Sequence, residues 1–142
     1  MTNNFIYTGV FFNKEELLKK VEFLGEERLE RVIADPHVTF AFRPKTVDTS
    51  LFGEKVTVEA VGYGNNGKNE GLVVTLKSNN SKIMEMSKVI PVPHITLSVS
   101  ADGKPVDTWA LAFLEMKEPF IIEGTFGAFT PEGVVTEKEK EN

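Results

Sequence analysis

Two pentapeptides constrain this chain more than any other feature: Pro36-His37-Val38-Thr39-Phe40 and Pro93-His94-Ile95-Thr96-Leu97. They contain both of its histidines. Each proline lacks a backbone donor and disfavours helix at the residue before it, so no regular helix runs through either site. The β-branched and apolar residues that follow predict strands over His37–Phe42 and His94–Val99. On a strand, residues i and i+2 share a face, roughly 6.5–7 Å apart. Each pentapeptide therefore aims one imidazole and one hydroxyl at the same point and turns Val38 or Ile95 toward a core. Thr is 12 of 142 residues. Chance places a Thr two positions after both histidines less than about one time in a hundred, so the matched pair is a specific signal.

The rest of the chain supplies a frame for these strands. Residues 5–12 are aromatic and β-branched and predict a strand. Asn13 with Glu16 predicts a helix start, and Leu17, Leu18, Val21 and Leu24 follow at helical spacing. Gly25 is a candidate interruption, after which Leu29, Val32 and Ile33 resume the period up to Asp35-Pro36. Residues 43–50 read as a polar loop. Residues 56–63 and 72–76 read as a hairpin around Gly64-Asn-Asn-Gly67, and residues 78–88 as a loop with a short helix. A short helix is expected over 107–116 and a last strand over 120–129. Roughly six strands and two or three helices, without regular β-α-β alternation, imply an α+β fold with a mostly antiparallel sheet. No linker divides the chain. One domain is expected over 1–134, with a charged, flexible tail over 135–142. The tail ends in Glu137-Lys-Glu-Lys-Glu-Asn142, which has no apolar residue to bury.

Charge and composition exclude several functions. A net charge of −5 opposes an extended grip on duplex nucleic acid, which needs many Lys and Arg. A small nucleotide or a strand end needs only one or two local cations. With no cysteine, neither a disulfide framework nor thiolate chemistry is expected. No signal-peptide pattern and no apolar run of membrane-spanning length is present, so a cytoplasmic protein without membrane contact is expected. No His/Asp/Glu set has metal-ligand spacing, so neither metal nor cofactor is expected. The oligomeric state has no sequence signature.

The pentapeptides do suit displacement at phosphorus. Imidazole titrates near neutral pH, so one ring accepts a proton from the attacking oxygen while the other gives one to the leaving oxygen. Threonine hydroxyls donate to the non-bridging oxygens, where charge accumulates. His37, Thr39, His94 and Thr96 are therefore the candidate catalytic residues. Tyr7 and Trp109 are candidates to stack a base. Ordinary packing is an equal reading for Tyr7 and the commoner one for Trp109. Arg43 and Lys45, after the first motif, and Lys104, after the second, are candidates to attract phosphate, although solvated loop charges are the commoner case. The Gly62-Tyr-Gly-Asn-Asn-Gly67 stretch reads as a hairpin turn rather than a phosphate-cradling loop.

The paired His-x-Thr-apolar strands resemble the two-histidine phosphoesterase superfamily. That group includes RNA 2',3'-cyclic phosphodiesterases, 2',5'-oligonucleotide phosphodiesterases and phage nucleases that destroy cyclic-oligonucleotide immune signals. The stretch Pro93-His-Ile-Thr-Leu-Ser-Val-Ser-Ala-Asp-Gly-Lys-Pro-Val-Asp107 is most similar to the cyclic phosphodiesterase domain of fungal-type tRNA ligases, where a Lys-Pro-Val segment also follows a His-x-Thr strand. The resemblance runs from Tyr7 to about Phe129, with its specificity in the two motifs. It implies two pseudo-symmetric halves of antiparallel strands around a central cleft. It also implies a metal-independent phosphodiesterase acting on a nucleotide or RNA-end phosphodiester, either a 2',3'-cyclic phosphate or a 2'-5' linkage. Cleavage of cyclic oligonucleotide signals and a non-catalytic nucleotide-binding module stay open as alternatives, as does the assignment of acid and base. Outside the two pentapeptides no internal repeat is visible.

Overall fold

The computed structural model of the chain describes residues 5–137. Strand β1 (Tyr7–Phe11) leads into helix α1 (Lys14–Val21), where Asn13 Oδ1 accepts from the Glu16 amide at 2.9 Å. This satisfies one of the orphan donors of the first turn. Leu17 and Val21, four residues apart, bury one face. A 3-10 turn (Glu22–Leu24) follows, and Gly25 at φ 71° stops the helix. Here the structure corrects the sequence reading, because Leu29, Val32 and Ile33 do not resume a helix. Leu29 donates its amide to Ser98 Oγ at 2.8 Å and Ile33 to the Leu97 carbonyl at 3.0 Å. Arg31–Val32 form a short strand, β2, on β6 (His94–Val99). Bonds to a neighbouring strand satisfy this backbone in place of intrahelical ones.

The first motif is strand β3 (His37–Phe42) and the second is β6, with the bounds expected. Between them β4 (Lys55–Asn65) and β5 (Asn69–Lys77) form the expected hairpin, longer at both ends. Helix α2 (Ser81–Lys88) is capped by Asn80 Oδ1, which accepts from the Lys82 and Ile83 amides. A helix over 107–116 does not form. Pro105 instead opens a 3-10 helix (Pro105–Ala110), and Leu114 already belongs to the long strand β7 (Leu114–Thr130). Leu114 and Glu115 lie opposite Tyr63 and Gly62 of β4, so this backbone is taken up by the sheet. The short β8 (Gly133–Val135) folds back on β7 and includes Val135, which was expected in the tail. Of the rest of the expected tail, Thr136 and Glu137 follow without regular structure, and residues 138–142 lie outside the described residues.

Every strand pairing is antiparallel, in the order β2-β6-β5-β4-β7-β1-β3, with β8 also on β7. Eight strands and two short α-helices among the described residues make an α+β fold with an open antiparallel sheet. The motif strands β3 and β6 are far apart in this order, yet their Cα atoms come within 8 Å. Sheet twist and curl therefore bring them face to face. Val38 and Ile95, the middle residues of the motifs, are fully buried in one apolar cluster with Val10, Leu72, Ile83 and Phe126. Each such side chain stabilises the fold by roughly 1.5–3 kcal/mol relative to exposure. That burial fixes which way His37, Thr39, His94 and Thr96 point. No helix of the described residues is long and apolar enough to cross a membrane.

Candidate active site

A cleft of about 660 Å³ lies along β3 and β6. His37 and Thr39 line it from one strand, and His94 and Thr96 from the other. The two side chains of each motif thus share a face, as i, i+2 spacing requires, and the two motifs share one cleft.

The strands are also alike in details that the sequence did not reveal. The Nδ1 atom of His37 lies 2.8 Å from the Asp35 carbonyl, and that of His94 lies 2.8 Å from the Val92 carbonyl, two residues back in each case. A carbonyl oxygen only accepts, so each Nδ1 carries a proton. This leaves each Nε2 as the nitrogen free to meet a ligand. Each strand also has a bulge directly after its threonine. Gly9 and Thr8 lie opposite Thr39 and Ala41, so Phe40 is the extra residue. Gly71 and Glu70 lie opposite Thr96 and Ser98, so Leu97 is the extra residue. A bulge resets the alternation of side chains. In β3 it turns Phe42, rather than Ala41, toward the cleft.

Both threonines thus face a glycine, and the reason is close approach. A Cβ on Gly9 would lie 2.2 Å from the Val38 carbonyl oxygen. One on Gly71 would lie 2.8 Å from the Ile95 oxygen and 2.5 Å from Thr108 Cγ2. Only glycine lets the neighbouring strand come so near a bulged partner. The partners that require these glycines become visible only in the register.

Electrostatics acts on His37. His37 is held below the ordinary histidine value, chiefly by burial, with the repulsion of His94 adding to the effect and the Asp35 carbonyl opposing it. It therefore favours the neutral form. Tyr7 packs on His37 at 4.5 Å between ring centroids and on Phe129 at 5.2 Å. Both neighbours stack on this ring and compete with a base for it, and the polar group that Tyr7 offers the cleft is its hydroxyl. Burial, with a smaller effect of Asp35, pushes that hydroxyl up to about 12, so it stays protonated. Its oxygen lies 3.3 Å from His37 Nδ1 and takes a secondary share of the proton directed at Asp35.

Thr96 belongs to a buried network that sequence reasoning missed. Its Oγ1 lies 2.7 Å from Thr108 Oγ1 and 3.3 Å from the Pro105 carbonyl. Asn69 Nδ2 donates to Thr108 Oγ1 at 3.1 Å and to the Lys104 carbonyl at 2.6 Å. Hydroxyl protons rotate. When Thr108 donates to Thr96, the Thr96 proton is free for a ligand. The signal was slight: one Thr inside the Lys-Pro-Val-Asp-Thr stretch and one Asn among several.

The expected cations are not brought to the cleft. Arg43, Lys45 and Lys104 are exposed and none lines it. Arg43 has φ 46° and places its guanidinium 5.4 Å from the Phe42 ring centroid. Lys45 projects from the loop after β3, and Lys104 contributes its carbonyl, to Asn69, rather than its ammonium. Trp109, in contrast, does line the cleft. Among protein-family models and curated proteins, none matches this chain.

Proposed function

We propose that the chain is a metal-independent phosphodiesterase acting on a nucleotide or RNA-end phosphodiester, a 2',3'-cyclic phosphate or a 2'-5' linkage. One observation carries this reading. Two imidazoles in one cleft are held alike through Nδ1 and leave Nε2 open, each beside a threonine. His37, which favours the neutral form, takes a proton from the attacking oxygen, of water or of a neighbouring ribose hydroxyl. That oxygen bonds to phosphorus, the bond from phosphorus to the leaving oxygen breaks, and His94 gives its Nε2 proton to the leaving oxygen. Thr39 and Thr96 donate to the non-bridging oxygens, where charge builds.

The finer architecture belongs to the same reading. The run β1, α1, β3 is matched by β5, α2, β6, down to an asparagine cap on each helix and a bulge after each threonine. The order β6-β5-β4 on one side mirrors β3-β1-β7 on the other. We read these as two pseudo-symmetric halves with the cleft between them. The test is an activity screen in EDTA with 2',3'-cyclic nucleotides, 2'-5'-linked dinucleotides and cyclic dinucleotides, resolving products by chromatography. Cleavage lost in both His37→Ala and His94→Ala supports the reading. Tight binding with no turnover of any compound replaces it with a nucleotide-binding module.

A further inference from the structure

For a site that receives phosphate, the cleft is unusual in its charge. Its thirteen lining residues among those described include no Lys, Arg, Asp or Glu. Among the described lining residues, positive charge reaches a ligand only through the two imidazoles. These bear on one another electrostatically, and burial disfavours the charged form of His37. Like charges in one site oppose double protonation, so the pair supplies no more than about one charge. Most of the remaining lining is aliphatic or aromatic, including Ile33, Ile90, Val92 and Pro105. An anion with more charge than its surroundings compensate is costly to place there.

The apolar part of the lining has a shape of its own. Trp109 is 57% exposed and Phe42 68% exposed, and both line the cleft. Trp109 has no aromatic partner among the described residues. Arg43 packs on Phe42 and leaves ring surface open. Flat, uncharged groups such as nucleobases stack on such rings with little sequence preference. We propose that the cleft selects a phosphodiester bearing a single negative charge beside its nucleobases, and discriminates against the same molecule with a terminal phosphate. This rests on the reading of the cleft as a phosphodiester site. A diester brings one charge, the most that the imidazole pair can meet. A terminal monoester adds about −1.5 to −2 at pH 7, with no lining cation to receive it, and the net charge of −5 repels it further.

The test uses two matched pairs. One is 2'-5'-linked adenylyl-adenosine with and without a 5'-phosphate. The other is adenosine 2',3'-cyclic phosphate with and without a 5'-phosphate. Relative kcat/KM is measured where a compound is cleaved, and relative Kd by calorimetry where it is not. At pH 7.5 the terminal phosphate is expected to cost at least about tenfold. Monoesters take up a proton near pH 6 and keep about one negative charge below it, so the ratio should narrow at pH 5.5 without vanishing. Protonation of the imidazoles at lower pH narrows the ratio in the same direction, since it supplies the charge that the extra phosphate lacks. Trp109→Ala should weaken both members of a pair by about tenfold, as expected for loss of one stacked base. Equal or better use of the phosphorylated member overturns the proposal, as does failure to bind either pair. Discrimination in binding with no cleavage retains this proposal and removes the phosphodiesterase reading.

Discussion

Thr108→Val tests whether Thr96 is an oriented donor. Valine keeps the shape of threonine and removes only the buried oxygen. Asn69 Nδ2 then keeps the Lys104 carbonyl at 2.6 Å and loses its 3.1 Å contact. Thr96 loses its 2.7 Å partner and keeps the Pro105 carbonyl at 3.3 Å, which draws its proton away from the cleft. The stability lost is close to one net hydrogen bond, about 1–2 kcal/mol. The activity lost is larger. Deleting an oxyanion donor costs about 10²–10³ in kcat, and a misdirected donor forfeits part of that, so kcat should fall about 10- to 100-fold. KM should change little, since the bond strengthens in the transition state. Thr108→Ser restores the hydroxyl and should recover most of kcat. Urea denaturation gives the stability and steady-state kinetics the rest. A folded Val variant with wild-type kcat, or a Ser variant as slow as the Val variant, refutes the reasoning.

Gly9→Ala places a Cβ 2.2 Å from the Val38 carbonyl oxygen, so β1 and β3 must separate. The expected cost is about 3 kcal/mol, read as a lowered urea midpoint; an unchanged midpoint contradicts the close approach. Arg28→Ala leaves Glu70, which is fully buried, with Tyr63 and Ser98 as donors but without its 3.1 Å ion-pair partner. That variant should lose about 3 kcal/mol, and adding Glu70→Gln should restore part of it; a double variant worse than the single contradicts this. Burial holds His37 below its ordinary value in the folded chain. The unfolded chain takes up a proton on His37 below about pH 6.5 while the folded chain resists, so stability is present above that pH and lost as pH falls. His37→Asn should show a shallower fall in urea midpoint from pH 7 to 5, and an identical slope would remove His37 as the source.

What could be read from the sequence was whatever depends on near neighbours along the chain. The i, i+2 spacing set the faces of His37, Thr39, His94 and Thr96, and the burial of Val38 and Ile95 keeps them there. The Asn13 cap and the β4–β5 hairpin are equally local. Leu29, Val32 and Ile33 misled because a helical period also fits an extended segment whose amides are bound by β6. Residues 107–116 misled because pairing with β4 claims Leu114 and Glu115. The bulges at Phe40 and Leu97 depend on which strand lies opposite, so no local signal announces them. For the same reason Phe42 reaches the cleft where regular alternation would place Ala41, and Thr108 and Asn69 emerge only as partners of Thr96. The charged residues failed as guides because a loop position near a motif does not fix where a long, solvated side chain lies.

The central claim is that His37 and His94 pass protons at one phosphorus without a metal. The most direct measurement is the rate of cleavage of the substrate found by the screen, in EDTA, from pH 5 to 9, for wild type, His37→Ala and His94→Ala. Wild type should give a bell peaking between about pH 6 and 7.5. His37→Ala should lose the acidic limb and His94→Ala the basic limb, each folded and each slower by about 10²–10⁴-fold. A flat wild-type profile, near-full activity in either folded variant, or a rate abolished by EDTA and restored by a divalent ion would contradict the account.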